Sequence, residues 1–420
     1  MLKKYYIWVL GCQMNKSDGQ RAKRILEKIG YKKAKNQNDA DLILVLACSV
    51  RQSAIDRIFG KAKALKKGNA TKILSGCVLK DDRKKMSKIF DYFIETKDLV
   101  KLSQILKKEN KIFRDFFSIK PLYSSNFSAY VPIMTGCDNF CTYCVVPLTK
   151  GREKSRSFPG ILREIRELVK NDYKEIILLG QNVNSFGSDL KSKKYNFANL
   201  LAEVNKIKGD FWIRFITSNP HDMSDEIISA IVSSKKVTEY VHLPIQSGNN
   251  EILRKMNRKY TREDYFKLIE KLRKKIPNMS LSTDTIVGFP GETIKQFRDT
   301  VDVYRRVKYD MAYIAKYSPR KGTVAYKMKD NVSFGEKKRR EKELTKILEK
   351  TAQEFNKKLE GKILDVLFDK HEKGFLYGRT RNFKLVKARG SKKLLGNFAK
   401  VYIKKSGPWS LAGLIKNPSK

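Results

Sequence analysis

Tyr130-Val131-Pro132-Ile133-Met134-Thr135-Gly136-Cys137-Asp138-Asn139-Phe140-Cys141-Thr142-Tyr143-Cys144 sets an apolar run directly before three cysteines spaced C-x3-C-x2-C. The run reads as a buried strand, and the cysteines as the loop that follows it. Thiolates are soft ligands that suit iron–sulfur clusters and zinc. A cubane cluster has one more iron than this loop has thiolates, so one iron stays open. Catalytic metal sites use such a position to take a substrate. The alternative is a zinc ion completed by a histidine, and the nearest in sequence is His221.

Outward from this stretch the pattern repeats. Candidate strands at 130–134, 175–179, 212–217, 240–243, 282–287 and 311–315 alternate with helical stretches that include 161–170, 225–232, 262–274 and 293–307. That succession predicts a full or partial parallel (β/α) barrel, whose chemistry lies on the loops after the strands. The Cys137–Cys144 loop is such a loop. Gly180, Gln181 and Gln246 fall at strand ends facing the same mouth and are candidates to line a cofactor pocket, although Gly after a strand also serves a turn. Arg152 and Arg156 follow the cysteine loop, where a guanidinium suits an RNA phosphate, a carboxylate or an ordinary salt bridge.

The remaining cysteines are Cys12, Cys48 and Cys77, each placed after a short apolar run. Their gaps of 36 and 29 residues are each about one βαβ unit. With a helix over 21–29 capped by Ser17, a strand at 42–46 and a helix over 52–66, the first 120 residues read as a doubly wound α/β domain. Residues just past neighbouring strand ends of such a sheet converge on one crevice. Three cysteines distant in sequence are thus expected to form a second cluster site. Taken singly, each also reads as a small buried hydrophobe. Met1-Leu2-Lys3-Lys4 precedes an apolar stretch too short for a secretory signal. No run of about 18 apolar residues predicts a membrane span. A cytoplasmic chain with reduced thiols is expected.

Pro121 and Ser124-Ser125-Asn126 mark a linker. A charged stretch over 335–358 reads as a solvated connecting helix. From 361 onward, short alternating runs read as a small β-barrel. Formal net charge is +45, and residues 361–420 carry 12 Lys and 3 Arg against 2 Asp and 1 Glu. With Phe375, Tyr377, Phe383, Phe398, Tyr402 and Trp409, most of them expected in its core, this segment fits an RNA-binding module better than a membrane-surface one.

Taken together, these motifs resemble the radical S-adenosylmethionine (SAM) methylthiotransferases over nearly the whole chain. Gly11-Cys12-Gln13-Met14-Asn15, Cys48-Ser49-Val50-Arg51 and Gly76-Cys77-Val78 are similar to the family's N-terminal cluster motifs. Gly136 to Pro147, Gly151 to Arg156, Leu179 to Asn184, His242 to Gly248 and Gly288 to Thr293 are similar to its radical core, and the C-terminal segment resembles a TRAM domain. One departure is Leu46, where the family usually has Asn near the second cysteine.

The resemblance implies two 4Fe-4S clusters, one on Cys137, Cys141 and Cys144 and an auxiliary one on Cys12, Cys48 and Cys77. SAM would chelate the open iron of the first and be cleaved reductively, with Tyr143 at the aromatic position before the third cysteine. The implied reaction places a methylthio group on carbon 2 of the prenylated adenosine 3′ of a tRNA anticodon. Implied domains are a methylthiotransferase domain (1–120), a radical SAM core (123–355) and a TRAM-like RNA-binding domain (358–420). A tRNA anticodon stem-loop and a reducing electron donor are the expected partners of a monomer without membrane association. The competing readings are a threonylcarbamoyl-adenosine or ribosomal-aspartate methylthiotransferase, and a non-enzymatic iron–sulfur RNA-binding protein.

Overall fold

In the computed structural model, which describes residues 2–50, 52–61, 65, 69–106 and 115–416, the apolar runs of the first third form one parallel sheet. Its strands are β1 (Lys4–Val9), β2 (Lys32–Lys33), β3 (Leu42–Cys48), β4 (Thr71–Cys77) and β5 (Tyr92–Phe93), in the order β2-β1-β3-β4-β5. Central β3 is buried at all seven positions, as a doubly covered parallel strand should be. The first helix, Gln13–Lys28, begins before Ser17 and takes Cys12 as its N-cap. Ser17 is not a cap because its Oγ accepts from Arg21 Nη1 at 2.8 Å, one turn along. The expected helix over 52–66 is seen as Gln52–Gly60; positions 62–64 and 66 lie outside the described residues.

The radical-core region contributes β6 (Ser128–Pro132), a small antiparallel pair β7 (Met134–Thr135) and β8 (Lys154–Ser155), then β9 (Glu175–Leu179), β10 (Trp212–Ile216), β11 (Tyr240–His242), β12 (Ser280–Val287) and β13 (Met311–Lys316). The six long strands lie in two parallel sheets, β10-β9-β6 and β11-β12-β13, joined by the single bridge Ile213↔Val237. Among the described residues nothing pairs β13 back to β6, so the barrel is partial. Capping boxes at Thr261/Asp264 and Thr293/Gln296 fix the starts of helices Arg262–Lys275 and Ile294–Val307.

The helix Phe334–Lys357 is not a solvated connector. Leu344 and Leu348 enter the main core, and two of its basic side chains are buried and paired, Lys337 to Asp330 and Arg340 to Glu292, at 2.6 Å each. Its charge pattern misled because Asp330 and Glu292 lie outside the helix, while Glu336 within it also takes Arg340 at 2.8 Å.

The C-terminal segment closes into a five-stranded barrel of β14 (Ile363–Glu372), β15 (Phe375–Thr380), β16 (Leu385–Arg389), β17 (Phe398–Ser406) and β18 (Leu411–Ile415), ordered β14-β15-β16-β18-β17. β18, which the sequence pattern did not mark, shuts it by pairing parallel to β16. The small barrel docks under the strand starts of the large one. Arg214 Nη1 and Nη2 donate to the carbonyls of Arg381 and Thr380 at 2.7 and 2.9 Å, Trp212 packs on Phe398, and Tyr240 stacks on Phe383. The opposite end, where the strands finish, faces the N-terminal domain.

Candidate active site

Gly136 opens the cysteine loop at φ +79°, with a Cβ that would fall 2.1 Å from the Arg152 carbonyl oxygen. Only glycine lets the chain turn this close to its own return strand. Asn257 Nδ2 donates to the carbonyls of Asn139 and Phe140 at 3.1 Å, and Thr142 Oγ1 donates to that of Lys255 at 2.8 Å. Each sulfur meets one N–H at 3.5 Å: Asn139 Nδ2 at Cys137, Arg258 Nη1 at Cys141 and the Val146 amide at Cys144. Donors around a sulfur set stabilise its anionic form. Asn257 and Arg258 were missed in the sequence because they lie far downstream of the loop, with no spacing to mark them.

Burial pushes the Cys144 thiol up to about 12 and the Cys137 thiol in the same direction. Thiolates at those two positions need a bound cation to offset the cost, which fits a metal site on these half-buried sulfurs. A single zinc fits worse. His221 is exposed, His242 is held by Ser282 and Asp284, and His371 lies on β14. Among the described residues, no group of three or more His, Cys, Asp or Glu side chains, the cysteine trios included, is drawn together closely enough to hold a metal ion as it stands.

The dispersed cysteines meet at the ends of β1, β3 and β4. Cys48 and Cys77 are register partners on adjacent strands. Gly11, beside Cys12, lies so close that a Cβ there would stand 2.6 Å from Cys48 Cβ and 3.3 Å from its Sγ. Asn15 Nδ2 ties the two loops by donating to the carbonyls of Leu10 and Ala47 at 2.7 and 2.8 Å. Leu46 is buried, and its Cδ1 lies 3.2 Å from where a Cβ on Gly19 would be. Burial pushes the Cys77 thiol up to about 12, so the same donor-set argument applies here.

The two trios share one interface. Met14, two residues past Cys12, packs on Ile177 and Leu179 among the inward residues of the large barrel. Lys150, just past the cysteine loop, bonds Asp18 Oδ2 at 3.0 Å and Thr96 Oγ1 at 3.2 Å in near-complete burial. Burial alone would lower its ammonium, but the Asp18 carboxylate holds it above the ordinary value.

At the mouth, Gly180 lacks room for a Cβ, which would meet Met134 Cγ at 2.7 Å, so glycine there is a steric requirement. Gln246 sits at φ +68° and extends the sheet: its amide donates to the Asp284 carbonyl, and the Ile286 amide donates to its own, both at 2.9 Å. Tyr143 packs with Ile252, Met256, Phe289, Tyr317 and Ala325. Gln181 Oε1, Asn182 Oδ1, Asn184 Oδ1 and Ser218 Oγ, all following β9 or β10, are buried without a hydrogen-bond partner among the described residues. Four idle polar oxygens around one mouth are what a bound polar cofactor would satisfy. Their signal in the sequence was only Gln181-Asn182.

Of the two arginines, Arg152 is largely exposed, paired with Asp138 at 3.0 Å and set over the Phe140 ring. Arg156 is buried and committed to Glu164 Oε2 at 2.7 Å and the Pro132 carbonyl, so it offers RNA no open fork. Glu164 also takes Arg21 at 3.2 Å and Tyr123 at 2.6 Å. Proximity to the cysteine loop could not separate these two roles. The six C-terminal aromatics also depart from expectation, since the small barrel's core is aliphatic apart from Phe368. Phe383 and Phe398 dock on the large barrel, while Phe375 and Tyr377 lie outward beneath Lys387, 4.1 and 5.9 Å from its Nζ.

Residues 131–303 match the Radical SAM superfamily, and residues 4–95 match an uncharacterized protein family, UPF0004. A protein from Carboxydothermus hydrogenoformans called tRNA-2-methylthio-N(6)-dimethylallyladenosine synthase is 41% identical over 98% of this chain and 99% of its own length. Proteins of the same name from Thermoanaerobacter pseudethanolicus and Clostridium tetani are 41% and 40% identical over 97% of this chain, covering 92% and 95% of their own lengths. Among solved structures, the radical SAM methyltransferase TsrM from Kitasatospora setae superposes with a TM-score of 0.54 at 11% identity, over 74% of this chain and 73% of its own. At that identity the likeness concerns the fold alone.

Proposed function

The chain belongs to the radical SAM methylthiotransferases, and on that premise we propose that its six cysteines hold two 4Fe-4S clusters on either side of one reaction chamber. What supports this reading is the placement of the cysteines, Cys48 and Cys77 as register partners at the ends of β3 and β4 with Gly11-Cys12 beside them, and Cys137, Cys141 and Cys144 on the loop that follows β7. The protein is an enzyme that transfers a methylthio group to carbon 2 of N(6)-dimethylallyladenosine in tRNA, as its relatives' name states for them. Its domains are assigned as 1–120, 123–355 and 358–420.

When bound, the clusters and SAM supply the radical and sulfur chemistry that an unactivated aromatic C–H bond requires. The chain's own residues position and shield. Asn139, Arg258 and the Val146 amide donate toward the sulfurs of the first trio. Gln181, with Asn182, Asn184 and Ser218, offers polar oxygens to the amine and ribose hydroxyls of SAM, and Tyr143, Gly180 and Gln246 shape the pocket wall. Met14 and the buried Lys150–Asp18 pair keep bulk water out from the N-terminal side. Arg152, exposed at the rim, is assigned to an anticodon-loop phosphate. Anticodon-loop bases are already unpaired, so drawing one into the mouth costs little.

On the small barrel, β15 sits between β14 and β16 with Tyr377 facing Lys370 on one side and Lys387 on the other. This outward ladder of ring and ammonium groups suits stacking and phosphate contact. No described helix is long and apolar enough to cross a membrane, and a tRNA substrate accords with a cytoplasmic place of work. A monomer supplied by a separate reducing partner completes the reading.

The test is anaerobic reconstitution with iron, sulfide, SAM, a reductant and prenylated tRNA, followed by mass spectrometry of the nucleosides. The expected product is the 2-methylthio nucleoside, with S-adenosylhomocysteine, methionine and 5′-deoxyadenosine beside it. Absence of 5′-deoxyadenosine would reduce the protein to an RNA binder, and product on threonylcarbamoyl-adenosine alone would change the substrate.

A further inference from the structure

Helix Asn250–Lys255 ends in a turn that grips the first cysteine loop. The Thr142 amide donates to the Met256 carbonyl at 3.1 Å, beside the bond from the Thr142 hydroxyl to Lys255. Asn257 stands at φ +56°, in the left-handed region that asparagine tolerates past a helix end, and from there its side chain reaches the Asn139 and Phe140 carbonyls. Arg258 comes next, and its Nη1 meets Cys141 Sγ at 3.5 Å. The sulfurs of Cys137 and Cys144 take their N–H donors from residues two positions along the chain, whereas Cys141 takes one from a cation 117 residues away.

The rest of the Arg258 guanidinium is fixed by neutral groups. Its Nε donates to the Tyr260 hydroxyl at 2.8 Å, and its Nη2 to Asn219 Oδ1 at 3.1 Å and the Pro244 carbonyl at 3.0 Å. The Tyr260 hydroxyl donates in turn to the Ile245 carbonyl at 2.9 Å, so the fork is tied to the loops after β10 and β11. Every oxygen in these bonds belongs to an amide, a carbonyl or a phenol, and none brings a counter-charge. A half-buried guanidinium held this way is costly to keep unless an anion completes its surroundings. The cysteine loop is placed to supply that anion, since its sulfurs are thiolates once they hold metal. An added electron makes such a sulfur set more negative still, and a fixed cation with a directed N–H lowers the cost of that charge. Arginine suits the task because it keeps its proton throughout.

We infer that Arg258 is a positioning residue for reduction at the first trio: anchored to the loops after β10 and β11, its guanidinium raises the reduction potential of the cluster on Cys137, Cys141 and Cys144, so that an external low-potential electron donor can charge it. The inference rests on the first cluster proposed above and assigns the protein group that sets its potential. One electron passes from the donor, which is oxidised, to the cluster, which is reduced. Arg258 itself gains and loses neither a proton nor a bond.

The experiment uses the full chain carrying Cys12→Ala, Cys48→Ala and Cys77→Ala, reconstituted anaerobically with iron and sulfide so that only the loop trio is loaded. Iron is counted, and the electron paramagnetic resonance signal of the reduced cluster is followed against potential during titration with titanium(III) citrate, in the absence of SAM. Adding Arg258→Gln should favour the oxidised form roughly tenfold, as for one charge-assisted hydrogen bond, which lowers a one-electron midpoint by about 59 mV. Arg258→Lys keeps the charge without the fork and should fall between the two, with about four irons per chain retained in both variants. An unaltered midpoint in Arg258→Gln overturns the inference. Loss of iron or of folding in both Arg258 variants overturns it too, by making the residue a structural tie alone. Weaker SAM binding by Arg258→Gln in equilibrium dialysis, with the midpoint unmoved, overturns it in favour of a contact to the SAM carboxylate. Failure of the parent triple variant to take up iron would instead strike the loop cluster itself, and the inference with it.

Discussion

The two cysteine trios reach similar ends by opposite routes. Cys137, Cys141 and Cys144 sit within eight residues on one loop, so their neighbourhood is set by local chain geometry. Cys12, Cys48 and Cys77 span 66 residues and are neighbours only because β1, β3 and β4 are adjacent and parallel. A loop can carry its chemistry from one scaffold to another, whereas a site made of strand ends exists only while the sheet does. The first trio should therefore depend on its own ligands, and the second on the integrity of the N-terminal domain and its docking.

The sharpest way to separate them is one substitution in each. Cys141→Ala should bring 5′-deoxyadenosine formation down to that of a control without enzyme, because no other described thiol can replace it in the loop. Cys48→Ala should retain SAM cleavage while abolishing the methylthio nucleoside, measured in the same chromatogram. Normal product from Cys48→Ala would dissolve the comparison by removing the dispersed trio from the reaction.

A smaller effect is expected at the joint that holds the trios together. Glu164, on helix Phe158–Lys170, gathers Arg21 from the first helix with Arg156 and Tyr123. Replacing it by Gln leaves two buried guanidinium groups without a counter-charge, a loss of about 3 kcal/mol or more in denaturant unfolding. Burial alone would raise the Glu164 carboxyl, but Arg156, Arg21 and Tyr123 bring it below its ordinary 4.5. A carboxylate depressed by folding gives stability that is complete above its ordinary value and lost as pH falls through its folded one. The gap between wild type and Glu164→Gln should thus stay constant near neutrality and narrow below about pH 4. A gap independent of pH down to acid unfolding would count against the ion cluster.

At the mouth the expected change is smaller again. Gln181→Leu deletes one idle acceptor and keeps the bulk, so SAM affinity should fall by about tenfold while unfolding shifts little. Gly180→Ala tests the steric alternative, since its Cβ would press on Met134 at 2.7 Å. Stability should fall there more than SAM affinity does, and the reverse order would give Gly180 a direct place in the pocket.

How much was legible in advance follows the same division. The contiguous trio was plain from spacing, because a loop's function is written in adjacent letters. The parallel strands were plain from apolar runs bounded by small residues, which also placed Cys12, Cys48 and Cys77 at equivalent strand ends. Asn257 and Arg258 were not legible, since the cysteine loop they hold lies 117 residues upstream, and the position of Arg156 was legible but its burial against Glu164 was not. Nor was β18: Leu411-Ala412-Gly413-Leu414-Ile415 is short and carries a glycine, and only closure of the barrel against β16 and β17 makes it a strand. The helix Phe334–Lys357 misled for a related reason, because composition cannot say that a lysine or arginine is buried against a carboxylate elsewhere.

The smallest predicted effect lies at the far end of the molecule. The small barrel docks under the strand starts, so its outward ladder of Lys370, Tyr377 and Lys387 is remote from both trios and can influence only how tRNA is held. Lys387→Ala should leave SAM cleavage untouched and weaken tRNA binding modestly. If Lys387 contacts one phosphate, the slope of log affinity against log salt should become shallower by about 0.7–0.9, the release of one fewer counterion. Tyr377→Ala should weaken binding with no change in that slope, because stacking displaces no counterion. Equal slopes for wild type and Lys387→Ala would move the phosphate track to another face of the barrel and leave Arg152, beside the cysteine loop, as the assigned contact nearest the anticodon.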